Sequence, residues 1–121
     1  MKTVWVFILL SCLLLPAMLF AGEADVIGVE VDKSGSIYSF SVTVKHGDEG
    51  WQHYADGWDI VSPEGQVIAT RVLYHPHVNE QPFTRSLSGV VIDKNISSVI
   101  VRAHDLVHGY GGKEMVVELP R

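Results

Sequence analysis

Tyr38, Phe40, Val42 and Val44 alternate with Ser39, Ser41, Thr43 and Lys45, and this pattern narrows the possible folds more than any other feature. Apolar residues at every second position give an extended strand one face for a core and one for water. Wound into a helix, the same residues would be spread around its whole circumference. Period-two patterning recurs along the chain, and no window after residue 21 carries the three-to-four residue spacing of an amphipathic helix. Strands are expected at 26–32, 38–45, 57–61, 67–74, 85–92, 98–103 and 114–119. Lys33-Ser34-Gly35-Ser36 and Ser62-Pro63-Glu64-Gly65 supply turn chemistry between them. Seven short strands, with Trp58 on the third, predict an all-β, seven-stranded immunoglobulin/fibronectin-like β-sandwich, with a small open barrel as the alternative.

The first residues stand apart from this pattern. Met1-Lys2 is a short positive start, residues 4–15 are almost entirely apolar, and Pro16 to Ala21 are small or apolar. This is the build of a secretory signal peptide, 1–21, with cleavage after Ala21 or as late as Ala24. No membrane anchor is expected to be retained, because Pro16 and the nearby Glu23 and Asp25 interrupt a run barely long enough to span a bilayer. Leu9-Leu10-Ser11-Cys12 is a poorer match to a lipid-attachment box, since the apolar run continues well beyond the cysteine. The single cysteine lies in this segment, so the domain at 22–121 is expected to fold as one unit without a disulfide. The formal net charge is −5 and becomes one unit more negative once Lys2 is removed. That balance excludes nucleic acid as the expected partner and suits a cation.

Function is read from where the histidines fall. In an up-and-down sandwich, the second-to-third, fourth-to-fifth and sixth-to-seventh connections emerge at one pole. All six histidines lie there: His46 and His53, His75 and His77, His104 and His108. The central connection, His75-Pro76-His77-Val78-Asn79-Glu80-Gln81-Pro82-Phe83-Thr84-Arg85, is held to a restricted shape by its two prolines. Imidazoles with a carboxylate form a common ligand set for zinc or copper(II). The expected metal ligands are His75 and His77, as an H-x-H pair in an extended loop, joined by His53, His104 or His108. Asp56 and Asp105 are expected to orient them, and Glu80 to pair with Arg85. Met115 is the one methionine beyond the signal segment, so soft copper(I) ligation has no support.

Trp51, Tyr54, Phe83 and Tyr110 share these loops and are candidate partner contacts. The bland alternative for every residue in the set is a solvated or bracing side chain. The loops hold no serine or cysteine nucleophile in a recognisable setting, so an enzyme is not expected.

Three segments carry a resemblance: His53-Tyr54-Ala55-Asp56-x-Trp58, His75-Pro76-His77-x-x-Glu80-Gln81-Pro82-Phe83-Thr84-Arg85-Ser86-Leu87, and His104-Asp105-x-x-His108-Gly109-x-Gly111-Gly112. Together they are similar to a group of small exported bacterial proteins without an assigned activity. The resemblance implies a periplasmic or secreted bacterial protein and brings no catalytic residue or cofactor. The spacing departs from the histidine and methionine patterns of periplasmic copper carriers. The expected function is thus an exported sandwich binding a divalent transition metal at its histidine pole. The alternative is a metal-free, non-enzymatic module that docks a periplasmic or membrane-bound protein there.

Overall fold

The computed structural model describes residues 22–121, and the signal-peptide expectation at 1–21 lies outside the described residues. Seven strands follow in chain order: β1 (Asp25–Ser34), β2 (Ile37–Lys45), β3 (Ala55–Val61), β4 (Val67–Val72), β5 (Phe83–Val91), β6 (Ser98–Asp105) and β7 (Met115–Glu118). Among the described residues there is no helix, and none is long and apolar enough to cross a membrane. The strands form two antiparallel sheets, β1-β2-β5 and β4-β3-β6-β7. The two sheets close over one core as a β-sandwich, and no ladder joins them into a barrel among the described residues.

The alternation read from the sequence is what fills that core. Tyr38, Phe40, Val42 and Val44 of β2 face inward, as do Val99, Val101 and Ala103 of β6. Trp58 and Ile60 of β3 are fully buried between them. Each buried Val, Ile or Phe among them contributes roughly 1.5–3 kcal/mol on leaving water. With no disulfide among the described residues, this burial is what holds the two sheets together.

Several strand limits differ from the sequence expectation by one or two residues, and four of them lie at the histidine pole, where pairing with a neighbouring strand sets them. β5 starts at Phe83 rather than Arg85, since Phe83 pairs with Val44 directly after Pro82. β4 stops at Val72, whose partner Gly57 lies close to the start of β3. β3 begins at Ala55 rather than Gly57, and β6 continues past Ala103 to Asp105, because Ala55 pairs with Asp105 and Gly57 with His104. The last extension matters for chemistry, since it turns two expected loop residues into strand residues with opposite facings. Gly111 and Gly112 serve the fold as well: a Cβ on Gly112 would overlap the Ala24 carbonyl. There the β6–β7 connection clamps the start of the domain through Val26 N–H to Lys113 O at 2.8 Å and Lys113 N–H to Asp25 Oδ1 at 2.7 Å.

Candidate metal centre

The inward stripe of β2 does not stop at the end of the strand. After Tyr38, Phe40, Val42 and Val44, the next two positions of the same parity, His46 and Asp48, are also buried. The stripe of β6 likewise runs Val99, Val101, Ala103 and then Asp105, which is completely buried. Both core-facing rows therefore end in polar groups at the same pole.

There His46 Nε2 lies 3.2 Å from His53 Nε2 and 3.3 Å from Asp105 Oδ2, and His53 Nε2 lies 3.7 Å from Asp105 Oδ1. His46, His53 and Asp105 form a group of potential metal ligands whose donor atoms all fall within 4.8 Å of one another. A tetrahedral ion with bonds of about 2.0–2.1 Å needs ligand atoms about 3.3–3.4 Å apart. The spacing found is close to that. His108 stands at the open side, with Nδ1 3.3 Å from Asp105 Oδ2 and its ring centroid 5.1 Å from that of His53.

The outer nitrogens determine what the inner ones can do. His46 Nδ1 donates to Asp48 Oδ1 at 2.5 Å, and His53 Nδ1 donates to Glu49 Oε1 at 2.8 Å. A carboxylate only accepts, so each Nδ1 carries its proton, and only the neutral form of each ring has a lone pair at Nε2 to offer. With both rings in that form, two lone pairs and the Asp105 carboxylate face one another, and the His46 and Asp105 side chains are fully out of water. Such an arrangement is repulsive unless a proton or a cation stands between the acceptors. A carboxylate behind each imidazole is also how metal-binding histidines are oriented and made more basic.

Asp105 is held ready in its charged form. Burial by itself would raise its carboxyl, but the backbone N–H groups of His108 and Val107 donate to Oδ1 at 2.6 and 2.7 Å, and His46 faces it. The net direction is down from the ordinary carboxylate value. Asp48 ties the centre to its surroundings: Oδ1 also accepts from Ala55 N–H at 3.0 Å, and Oδ2 accepts from His77 N–H at 2.6 Å. Gln81 makes a second tie, accepting from His46 N–H at 2.9 Å and donating from Nε2 to His77 O at 2.9 Å.

No family model matches the chain, and no solved structure matches it. The chain is similar to a Halomicrobium mukohataei protein named "Putative lipoprotein", 40% identical over 97 residues that cover 79% of this chain and 47% of that protein. It thus spans about half the length of the curated relative it matches.

The residues expected from the sequence divide among several places. His53, Asp105 and His108 come together at the centre, with Asp105 facing the imidazoles directly rather than from behind them. His75 and His77 lie beside each other, ring centroids 5.1 Å apart, but outside this group. His77 is buried face to face with Phe83, centroids 4.1 Å apart, and neither of its ring nitrogens has a partner. His104 points to the outer face of its sheet, because strand parity sets it opposite Asp105; its Nδ1 donates to Asp56 Oδ1 at 2.5 Å. Tyr110 caps that outer face, donating its hydroxyl to Asp59 Oδ2 at 2.7 Å beneath the Arg102 guanidinium. Glu80 and Arg85 form an ion pair at 3.2 Å.

Of the aromatic candidates, Trp51 is 66% exposed and meets Tyr54 edge to face, whereas Phe83 is sealed in the core and offers no surface. The expected ligand set left out His46, and Asp48, Glu49 and Gln81 had no assigned role. For His46 and Asp48 a signal was present in the unbroken parity of 38, 40, 42, 44, 46 and 48. Glu49 and Gln81 are placed by loop conformation, which parity does not describe.

Proposed function

We propose that this protein is an exported, immunoglobulin/fibronectin-like β-sandwich that binds one divalent transition ion, zinc or copper(II), through His46, His53, Asp105 and His108. The observation that carries this reading is the convergence of His46, His53 and Asp105, whose ligand atoms lie within 4.8 Å of one another, with Asp48 and Glu49 taking the Nδ1 protons so that both Nε2 atoms can serve a metal. A cation at that point replaces the repulsion between these atoms with bonds. Three of these ligands already lie within reach of one ion; His108 at the open side would supply the fourth through Nε2 and exclude a reacting water, and on this reading the site is a non-enzymatic, structural or metal-handling one. Export is supported by the apolar N-terminal run of the sequence and by the similar protein named as a lipoprotein.

A metal-free docking module at the same pole is the second reading. It draws on Trp51, Leu106 and Val107, three apolar side chains exposed around the centre. Elemental analysis and titration of untagged protein with zinc and copper(II) separate the two. One ion bound per chain at micromolar affinity or tighter, and lost in His46→Ala and His53→Ala, is the expected result. Undiminished binding in both variants, or none in the parent, refutes the metal reading.

A further inference from the structure

The metal centre leaves His75, His77, Arg71 and Arg85 without a function. Arg71 of β4 and Arg85 of β5 belong to different sheets, and they meet at the histidine pole where these two strands approach. With Leu73, Tyr74, His75 and His77 they line a small pocket of about 100 Å³, the room of roughly three water molecules. No carboxylate lines it. Two guanidiniums and two imidazoles share this small space, in a chain whose overall charge is negative.

His77 supplies an independent sign that something belongs there. It is 6% exposed, it lines the pocket, and both ring nitrogens are buried without a partner. A buried imidazole left wholly unpaired needs an explanation. Burial, then Arg85, then His75 keep it from charging, against the opposing pull of Glu80 and Asp48, so it offers one N–H donor and one acceptor. Arg71 commits Nε to Ser86 O and Nη1 to Val72 O, and Arg85 commits Nη1 to Thr84 O and Nη2 to Glu80. Arg71 Nη2 and Arg85 Nε have no partner among the described residues. Glu80 offsets part of the Arg85 charge but lines the neighbouring cleft rather than this pocket.

We infer that this pocket binds a small tetrahedral oxyanion of the phosphate or sulfate type, held by Arg71 and Arg85 and joined by a His77 ring nitrogen that turns from its buried position to meet it. Forked guanidinium donors are suited to such an ion. His75, His77 and Arg85 also border a wider cleft of about 570 Å³ that reaches the exposed face of Trp51. The ion can therefore be free or the head group of a larger organic phosphate. This inference does not depend on the metal reading.

The test is a titration with inorganic phosphate and with phenyl phosphate at constant ionic strength held by chloride, followed by NMR shifts of the His75 and His77 amides and by calorimetry. Saturable one-to-one binding is expected. It is weakened at least tenfold by Arg71→Met or Arg85→Met and several-fold by His77→Phe, which keeps the stack on Phe83. Zinc affinity is unchanged in all three variants, and circular dichroism checks their folding. Phenyl phosphate binding tighter than phosphate, with the gain lost in Trp51→Ala, identifies an organic phosphate; equal affinities identify the free ion. Absence of saturable binding in the parent protein overturns the inference. So does undiminished binding in the folded Arg71→Met/Arg85→Met protein, which would mean an adventitious ion only.

Discussion

His53→Ala separates the metal reading from a purely structural role for the histidine cluster. The His53 side chain is 12% exposed and lies at the rim of the centre, whereas those of His46 and Asp105 are fully buried. Its removal deletes one Nε2 ligand and one exposed pairing with Glu49, and leaves His46–Asp48 and the Asp105 turn intact. The metal-free protein is therefore expected to stay folded. An ion that binds only the native state at a hundred times its Kd adds about 2.7 kcal/mol. For a domain of this size that is a rise in Tm of roughly 10–20 °C. If losing one ligand weakens binding about a hundredfold, the same ion concentration adds only about 0.4 kcal/mol, a rise of roughly 2–3 °C. The assay is thermal unfolding followed by circular dichroism, in chelator and then in excess zinc, for both proteins. Equal zinc-induced shifts in the two proteins would refute the proposed centre, as would the absence of any shift in the parent.

Other outcomes follow from the same geometry. Asp48→Asn turns one of the acceptors serving His46, Ala55 and His77 into a donor; it should lower metal affinity 10–100-fold and cost about 1–3 kcal/mol in urea unfolding of the metal-free protein. Burial, Arg85 and His75 hold the His77 imidazole below its ordinary value of 6.5, so the unfolded chain binds more protons there than the native one. Its contribution to stability is thus complete above about pH 6.5 and lost as the pH falls below it, and His77→Phe should reduce the slope of stability between pH 7 and 5 in chelator. An unchanged slope would show that His77 titrates alike in both states. Gly112→Ala forces a Cβ against the Ala24 backbone and should cost about 1–3 kcal/mol, read by chemical denaturation; a neutral result would mean that the N-terminal clamp moves freely. Tyr110→Phe removes a hydroxyl donor to Asp59 and should cost about 1 kcal/mol without changing metal affinity.

Strand number, the residues of the core and the pole at which the histidines gather could all be read from the sequence. Each follows from local periodicity and turn chemistry: side chains in a strand alternate, and successive antiparallel strands return connections to the same ends. The same rule, extended beyond the ends of the strands, places His46, Asp48 and Asp105 on the core side and His104 on the other, an extension that the expected strands, ending at Lys45 and Ala103, did not include. What periodicity does not contain is how far each ladder runs. Only the pairing of Ala55 with Asp105 and of Gly57 with His104 decides that β6 reaches Asp105, and the irregular register between Ala55 and Gly57 accompanies the entry of the chain at the His53 turn. That pairing brings one carboxylate and two imidazoles to a common point, while His77 is drawn into the core by its stack on Phe83. Residue types and facings are local properties of the chain; convergence of the β2–β3 connection and the end of β6 on one point requires the strands to be paired, because it depends on distances between segments that are far apart in sequence.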